Sequence, residues 1–124
     1  MKEINVSIFQ ILKRDIGGYR HEIQYIRNTI EEKMQSAKEN VKVINVDFKE
    51  ITLVTHSFAD EIFSVKEGFE KQNKKVEFIN MNDDVRKMIE IIHRRRPYIL
   101  KNREEAISKH TYPDADKIIR VVAN

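Results

Sequence analysis

Cysteine is absent from the 124 residues, which excludes disulfides, thiolate chemistry and cysteine-based zinc sites. No apolar run approaches the length that spans a bilayer, and the opening MKEINVSIF lacks the long apolar stretch of a signal peptide. The expectation is a cytoplasmic protein without a membrane segment. Also missing are a Walker A loop, G-x-G-x-x-G and G-x-S-x-G. The four histidines, His21, His56, His93 and His110, show no zinc-ligand spacing. No metal or other cofactor is therefore expected. Linkers rich in Pro, Gly or Ser, internal repeats and low-complexity segments are lacking too, and the length suits one domain with one core.

Charge is plentiful, at 35% of residues, but unevenly signed. Residues 94–124 hold eight Lys/Arg against four Asp/Glu, whereas residues 1–93 hold fifteen against sixteen. The whole positive excess thus lies in the C-terminal quarter. Arg94, Arg95 and Arg96, followed by Tyr98, Lys101 and Arg103, form a candidate contact for an anion or a nucleic acid, since clustered arginines bind phosphate backbones. The plainer reading places His93 to Arg96 in the last turn of a helix stopped by Pro97, where cations complement free carbonyls.

Periodicity orders the rest. Ile4, Val6 and Ile8 alternate as a strand does, with Phe9 and Ile11 continuing it on the other face. Gly17-Gly18 permit a turn. Ile23, Ile26, Ile30 and Met34 form a helical stripe within residues 19–38. A strand is expected over Val76, Phe78 and Ile79, then a helix starting at Asn82-Asp83-Asp84 with its stripe on Val85, Met88, Ile89 and Ile92. A short helix over residues 103–109, a turn at Tyr112-Pro113-Asp114 and an apolar element over 118–122 follow. Alternation of strand and helix favours an α/β layer with right-handed crossovers, although the first strand could lie antiparallel at an edge.

Residues 41–69 organise the chain. Val41, Val43, Ile44 and Val46 lead as a buried strand into Asp47-Phe48, and Ile51 to Val54 form a short apolar run. Thr55-His56-Ser57 then turns the chain into a helix whose apolar positions are Phe58, Ile62, Phe63 and Phe69. Ser57-Phe58-Ala59-Asp60 fits the capping-box pattern, so Ser57 is expected to cap that helix. The same geometry is where backbone N–H groups hold a phosphate. Histidine as a residue type suits phosphate or proton transfer, but His56 has no evident orienting partner and reads as an exposed loop residue. Asp60 and Glu61, being adjacent, point in different directions from a helix and make a poor carboxylate pair. No arrangement meets the geometric requirements of catalysis, so a non-enzymatic role is expected.

Asp47-Phe48-x-x-Ile51 and Ser57-Phe58-x-Asp60-Glu61-x-Phe63, with Gly18-x-Arg20 before the first long helix, resemble a STAS-like domain family of unknown function. These are small bacterial proteins related to anti-sigma factor antagonists, and the resemblance covers residues 4–93. It implies an α/β fold with a STAS-like sheet and helices packed mainly on one face. It also implies a regulatory, protein-binding role beside an ATPase of the histidine-kinase type. In anti-sigma factor antagonists the loop carries a phosphorylated serine. Aligned on Asp47-Phe48, that position holds His56, with Thr55 and Ser57 on either side and Phe58 and Asp60 replacing two glycines.

Thr55, His56, Ser57, Asp60 and Glu61 are therefore the candidate surface for partner docking or phosphorylation. The alternative is nucleic-acid binding through Arg94, Arg95, Arg96, Lys101 and Arg103. The domain is expected over residues 1–97, with an extension over 98–124. Tyr98, Ile99, Leu100 and residues 118–122 are apolar enough to need cover by the domain or by a second copy, which would make a homo-oligomer.

Overall fold

A computed structural model describes residues 2–109, and the side chains of residues 2–98 and of Lys101. The order is β1 (Lys2–Ser7), α1 (Ile8–Leu12), β2 (Ile16–Gly17), a 3-10 turn (Arg20–Glu22), α2 (Ile23–Ser36), β3 (Val41–Asp47), β4 (Leu53–Val54), α3 (His56–Glu70), β5 (Lys75–Ile79) and α4 (Asp83–Lys109). The chain forms two compact units, Met1–His93 and Arg94–Asn124. The elements expected at residues 110–124, including the Tyr112-Pro113-Asp114 turn and the apolar run over 118–122, lie outside the described residues.

In the first unit β3 lies between β1 and β5, and both pairings are parallel. The first strand is thus at an edge but not antiparallel. Parallel order follows from the long connections, each of which carries a helix across the sheet. Register puts Ile4, Ile44 and Val76 in one row and Val6, Val46 and Phe78 in the next. This face carries the core, where α2 supplies Ile23, Ile26 and Ile30 and α3 supplies Phe58, Ile62, Val65 and Phe69. Phe78 meets Phe48 and Phe63 edge-on, at ring distances of 5.5 and 5.6 Å. The opposite face is polar. There Asn45 donates to Asn5 and Glu3, and Lys75 pairs with Glu77. Among the described residues α2 and α3 pack on the apolar face, and the chain has the α/β architecture expected of it.

Two expected boundaries move. The alternation of β1 ends at Ser7, whose hydroxyl accepts from Gln10 N–H, and residues 8–12 form a helix closed by Lys13 at φ 61°. Ile8, Ile11 and Leu12 also sit at helical spacing, and the serine cap decides between the two periods. Pro97 does not stop α4, which runs from Asp83 to Lys109 with the proline inside it. Pro97 lacks the N–H that would bond the His93 carbonyl and its ring crowds that carbonyl, a cost of about 3 kcal/mol that does not end the helix here. Arg94, Arg95 and Arg96 therefore occupy helix interior rather than a last turn, and their charge does not complement free terminal carbonyls. The start of α4 is as expected, with Asn82 Oδ1 accepting from Val85 N–H at 2.7 Å.

Candidate functional site

The two short strands build the site. Ile16 pairs with Leu53 and Gly17 with Val54, in parallel. Thr52 N–H donates to the Asp15 carbonyl at 2.7 Å and Thr55 N–H to that of Gly17 at 2.9 Å. This pairing brings the Arg14 to Glu22 segment onto the first turns of α3. Gly17 is required there by space. A β-carbon on it would stand 2.8 Å from the Phe58 ring, which is itself fully buried.

The helix start lies two residues before its expected place. Thr55 is the N-cap, and its hydroxyl accepts from Phe58 N–H at 3.2 Å while donating to the Gly18 carbonyl at 2.8 Å. Ser57 sits inside the first turn and is exposed, so the capping-box reading of Ser57 and Asp60 is corrected. Threonine and serine cap almost equally well, and what selects Thr55 is the neighbouring β2 loop that its hydroxyl also ties. His56 is exposed as the first residue of α3 rather than in a loop.

Asp60 and Glu61 are not splayed apart chemically. Arg20 Nη1 donates to Asp60 Oδ2 at 3.1 Å and to Glu61 Oε2 at 2.6 Å. A cation arriving from outside the helix reaches two carboxylates that the helix alone would separate. Burial pulls the Arg20 guanidinium pKa down, but the bonds to Glu61 and Asp60 outweigh this and leave it above its ordinary value. Asp60 is buried, at 4% exposure, so it is a structural anchor rather than a surface charge.

Buried Glu22 holds the other side of the platform. Its carboxylate accepts from Gly18 N–H at 3.2 Å and Tyr19 N–H at 2.8 Å, and it pairs with Arg14. Arg14 also lies over the Tyr19 ring at 5.6 Å, and that ring stacks on His21 at 5.5 Å. A cleft of about 370 Å³ opens among Arg14, Ile16, Gly18, Tyr19 and Thr55. Ile16, Leu53 and Tyr19 are exposed by 40, 47 and 60%.

Of the expected site residues, then, His56 and Ser57 face solvent, Glu61 is half-buried, and Thr55 and Asp60 are engaged internally. The apolar neighbours Ile16, Tyr19 and Leu53 escape a sequence reading because only the β2–β4 pairing assembles them. Tyr19 and Arg20 beside paired glycines are the one local hint. The arginine cluster belongs to the second unit. Arg94, Arg95 and Lys101 are exposed, whereas Arg96 is buried at 7%, so the cluster is not a uniformly solvated face. The Arg103 side chain lies outside the described residues. Among the described residues, no group of three or more metal-ligating side chains is placed to hold an ion, and no helix is long and apolar enough to cross a membrane.

A model of the STAS-like domain of unknown function matches residues 24–86. The chain belongs to that STAS-like family. The matched segment runs from α2 into the first turn of α4 and includes Thr55, His56, Ser57, Asp60 and Glu61. It leaves β1, the β2 loop and Arg20 outside. No curated protein matches the sequence.

Proposed function

We propose that this STAS-like chain is a non-catalytic regulatory module that docks a protein partner on the surface made by β2, β4 and the first turn of α3. The observation that carries this reading is the exposure of Ile16, Leu53 and Tyr19 beside exposed His56 and Ser57, on a backbone held by Thr55, Glu22 and Arg20. Exposed apolar groups on a rigid polar frame suit a partner interface, where a few aromatic or aliphatic anchors carry the binding energy. The partner class is an ATPase of the histidine-kinase type, as the kinship with anti-sigma factor antagonists suggests, in a cytoplasmic setting.

Ser57 is the proposed modification point. Thr55 is a poorer one, because both functions of its hydroxyl are occupied and a phosphate there would break the cap and its tie to Gly18. A phosphate on Ser57 adds about −1.5 to −2 charges one turn before Glu61, on a face the partner must desolvate. The test is a titration of an ATPase of the histidine-kinase type against wild type, Tyr19→Ala, Leu53→Ser and Ser57→Asp, with melting curves alongside. The expected result is weaker binding by all three variants at unchanged folding. Equal affinity across the set would sink the docking surface.

The competing reading is nucleic-acid binding through exposed Arg94, Arg95 and Lys101. Affinity for duplex or single strands that falls steeply with salt, and weakens in Arg94→Ala/Arg95→Ala, would favour it. For residues 98–124 we propose cover by the domain or by a second copy. Proteolysis that stops near Pro97 and leaves a stable remainder would speak against both.

A further inference from the structure

We propose that Lys33 and Lys66 guard the two edges of the three-stranded sheet, and that what they hold off is a second copy of this chain adding its own edge strand. Among the described residues the sheet ordered β1-β3-β5 ends in two edges. Unpaired N–H and C=O groups along such edges template a further strand unless something blocks them. Here each edge strand receives a lysine from the helix above it. Lys33, in the last turn of α2, donates to the Asn5 carbonyl of β1 at 2.6 Å. Lys66, midway along α3, donates to the Val76 carbonyl of β5 at 2.7 Å.

On β5 the direction of that carbonyl is settled by alternation. Ile79 accepts from Phe48 N–H, so Ile79 turns toward the β3 side and Val76, three residues away, turns outward. Lys66 is held in place by Glu70 at 3.0 Å and lies 5.8 Å from the Phe78 ring. Two helices thus apply the same device independently at opposite edges. Alongside β1 opens a cleft of about 450 Å³, lined by Lys2, Glu3, Ile4, Asn5, Glu32 and Lys33 among others. The carbonyl that Lys66 occupies faces outward, and Lys33 occupies one on the other edge strand. A carbonyl held in this way is withdrawn from the edge strand of a second copy.

The test uses the full chain with Lys33→Met and Lys66→Met, singly and together, and Lys33→Arg/Lys66→Arg as the variant that keeps charge and donor. Sedimentation over a concentration series reads association, circular dichroism reads folding, and amide exchange locates the contact. The double Met variant is expected to associate at concentrations about tenfold below those of wild type. Its β1 or β5 amides should exchange more slowly, while the Arg variant behaves as wild type. A folded double Met variant with wild-type association overturns the proposal. So does new association whose protection maps to residues 94–109 and not to either edge strand. If the double variant fails to fold, the single variants are judged by the same criteria, each at the edge it exposes. Because no partner protein enters the experiment, its failure leaves the docking surface at α3 untouched, and the reverse holds.

Discussion

The two sheets of this protein are held by opposite means. The β1-β3-β5 sheet rests on apolar rows of Ile4, Ile44, Val76, Val6, Val46 and Phe78, buried against α2 and α3. The β2-β4 pair has only two residues in each strand. Ile16 and Leu53 on it point into solvent, and the pair depends on a close glycine contact and on polar ties from Thr55, Glu22 and Arg20. Non-directional burial builds the scaffold, and directional bonds hold open a surface that has not buried its own apolar groups. A surface left in that condition is available to a partner, whereas the large sheet has spent its apolar face on its own helices.

The contrast can be broken most severely from the scaffold side. Phe63→Ala removes a ring that is 5% exposed and packed on Phe78 and His93. It should cost about 3–5 kcal/mol through lost burial and a cavity, read by chemical denaturation. The opposite error, overfilling, tests the platform. Gly17→Ala drives a β-carbon to 2.8 Å from the Phe58 ring and should cost about 1–3 kcal/mol. Gly68→Ala is the control, since a β-carbon there meets nothing within 4 Å. That exchange should be neutral or stabilising, because alanine is the better helix former.

Arg20→Ala withdraws the cation shared by Asp60 and Glu61. Breaking a buried pair costs about 3–5 kcal/mol, but the Arg20 side chain is 34% exposed and solvent screens it, so about 1–2 kcal/mol is expected. Amide exchange should quicken first at Gly18 and Tyr19, while β3 stays protected. Next in size is the cap. Thr55→Ala should cost about 0.5–2 kcal/mol, whereas Ser57→Ala should stay within about 0.5 kcal/mol. A loss at Ser57 equal to that at Thr55 would put the helix start back where the capping-box pattern suggests.

The smallest effect belongs to the open face of the large sheet. Hydrogen bonding to Lys75, and then its charge, hold the Glu77 carboxyl below its ordinary value. A carboxyl depressed in the folded state stabilises it above the unfolded pKa, and that gain disappears as pH falls through the folded value. Wild type and Glu77→Gln should therefore differ slightly in melting temperature at neutral pH and coincide in strong acid.

Much of the fold is legible in the order of residues alone. Period-two and helical spacing locate β3, α2, α3 and β5, and Asn82 announces α4, because these elements answer to burial on one face and to local caps. The pattern also singles out the first turn of α3 as a candidate, but not the states of its residues. Ser57 and Thr55 are both good caps, and choosing between them needs the Gly18 carbonyl, thirty-seven positions away. Adjacent Asp60 and Glu61 diverge on any helical projection, and only Arg20, brought across by the β2-β4 pairing, makes them one site.

Composition, charge distribution and periodicity by themselves determined an α/β chain with no cysteine chemistry and a basic C-terminal quarter. Those properties follow from what each segment must bury and which end groups it must satisfy, and both are local. Tertiary structure alone decided that Ser7 ends β1, that Pro97 lies within α4, that Arg96 is buried, that Ile16 pairs with Leu53, and that Ile16 and Tyr19 line one cleft with Thr55. Each of these turns on a competition that short-range pattern leaves level, between strand and helix, stop and continuation, or one hydroxyl and the next. Contacts between residues distant in sequence break the tie.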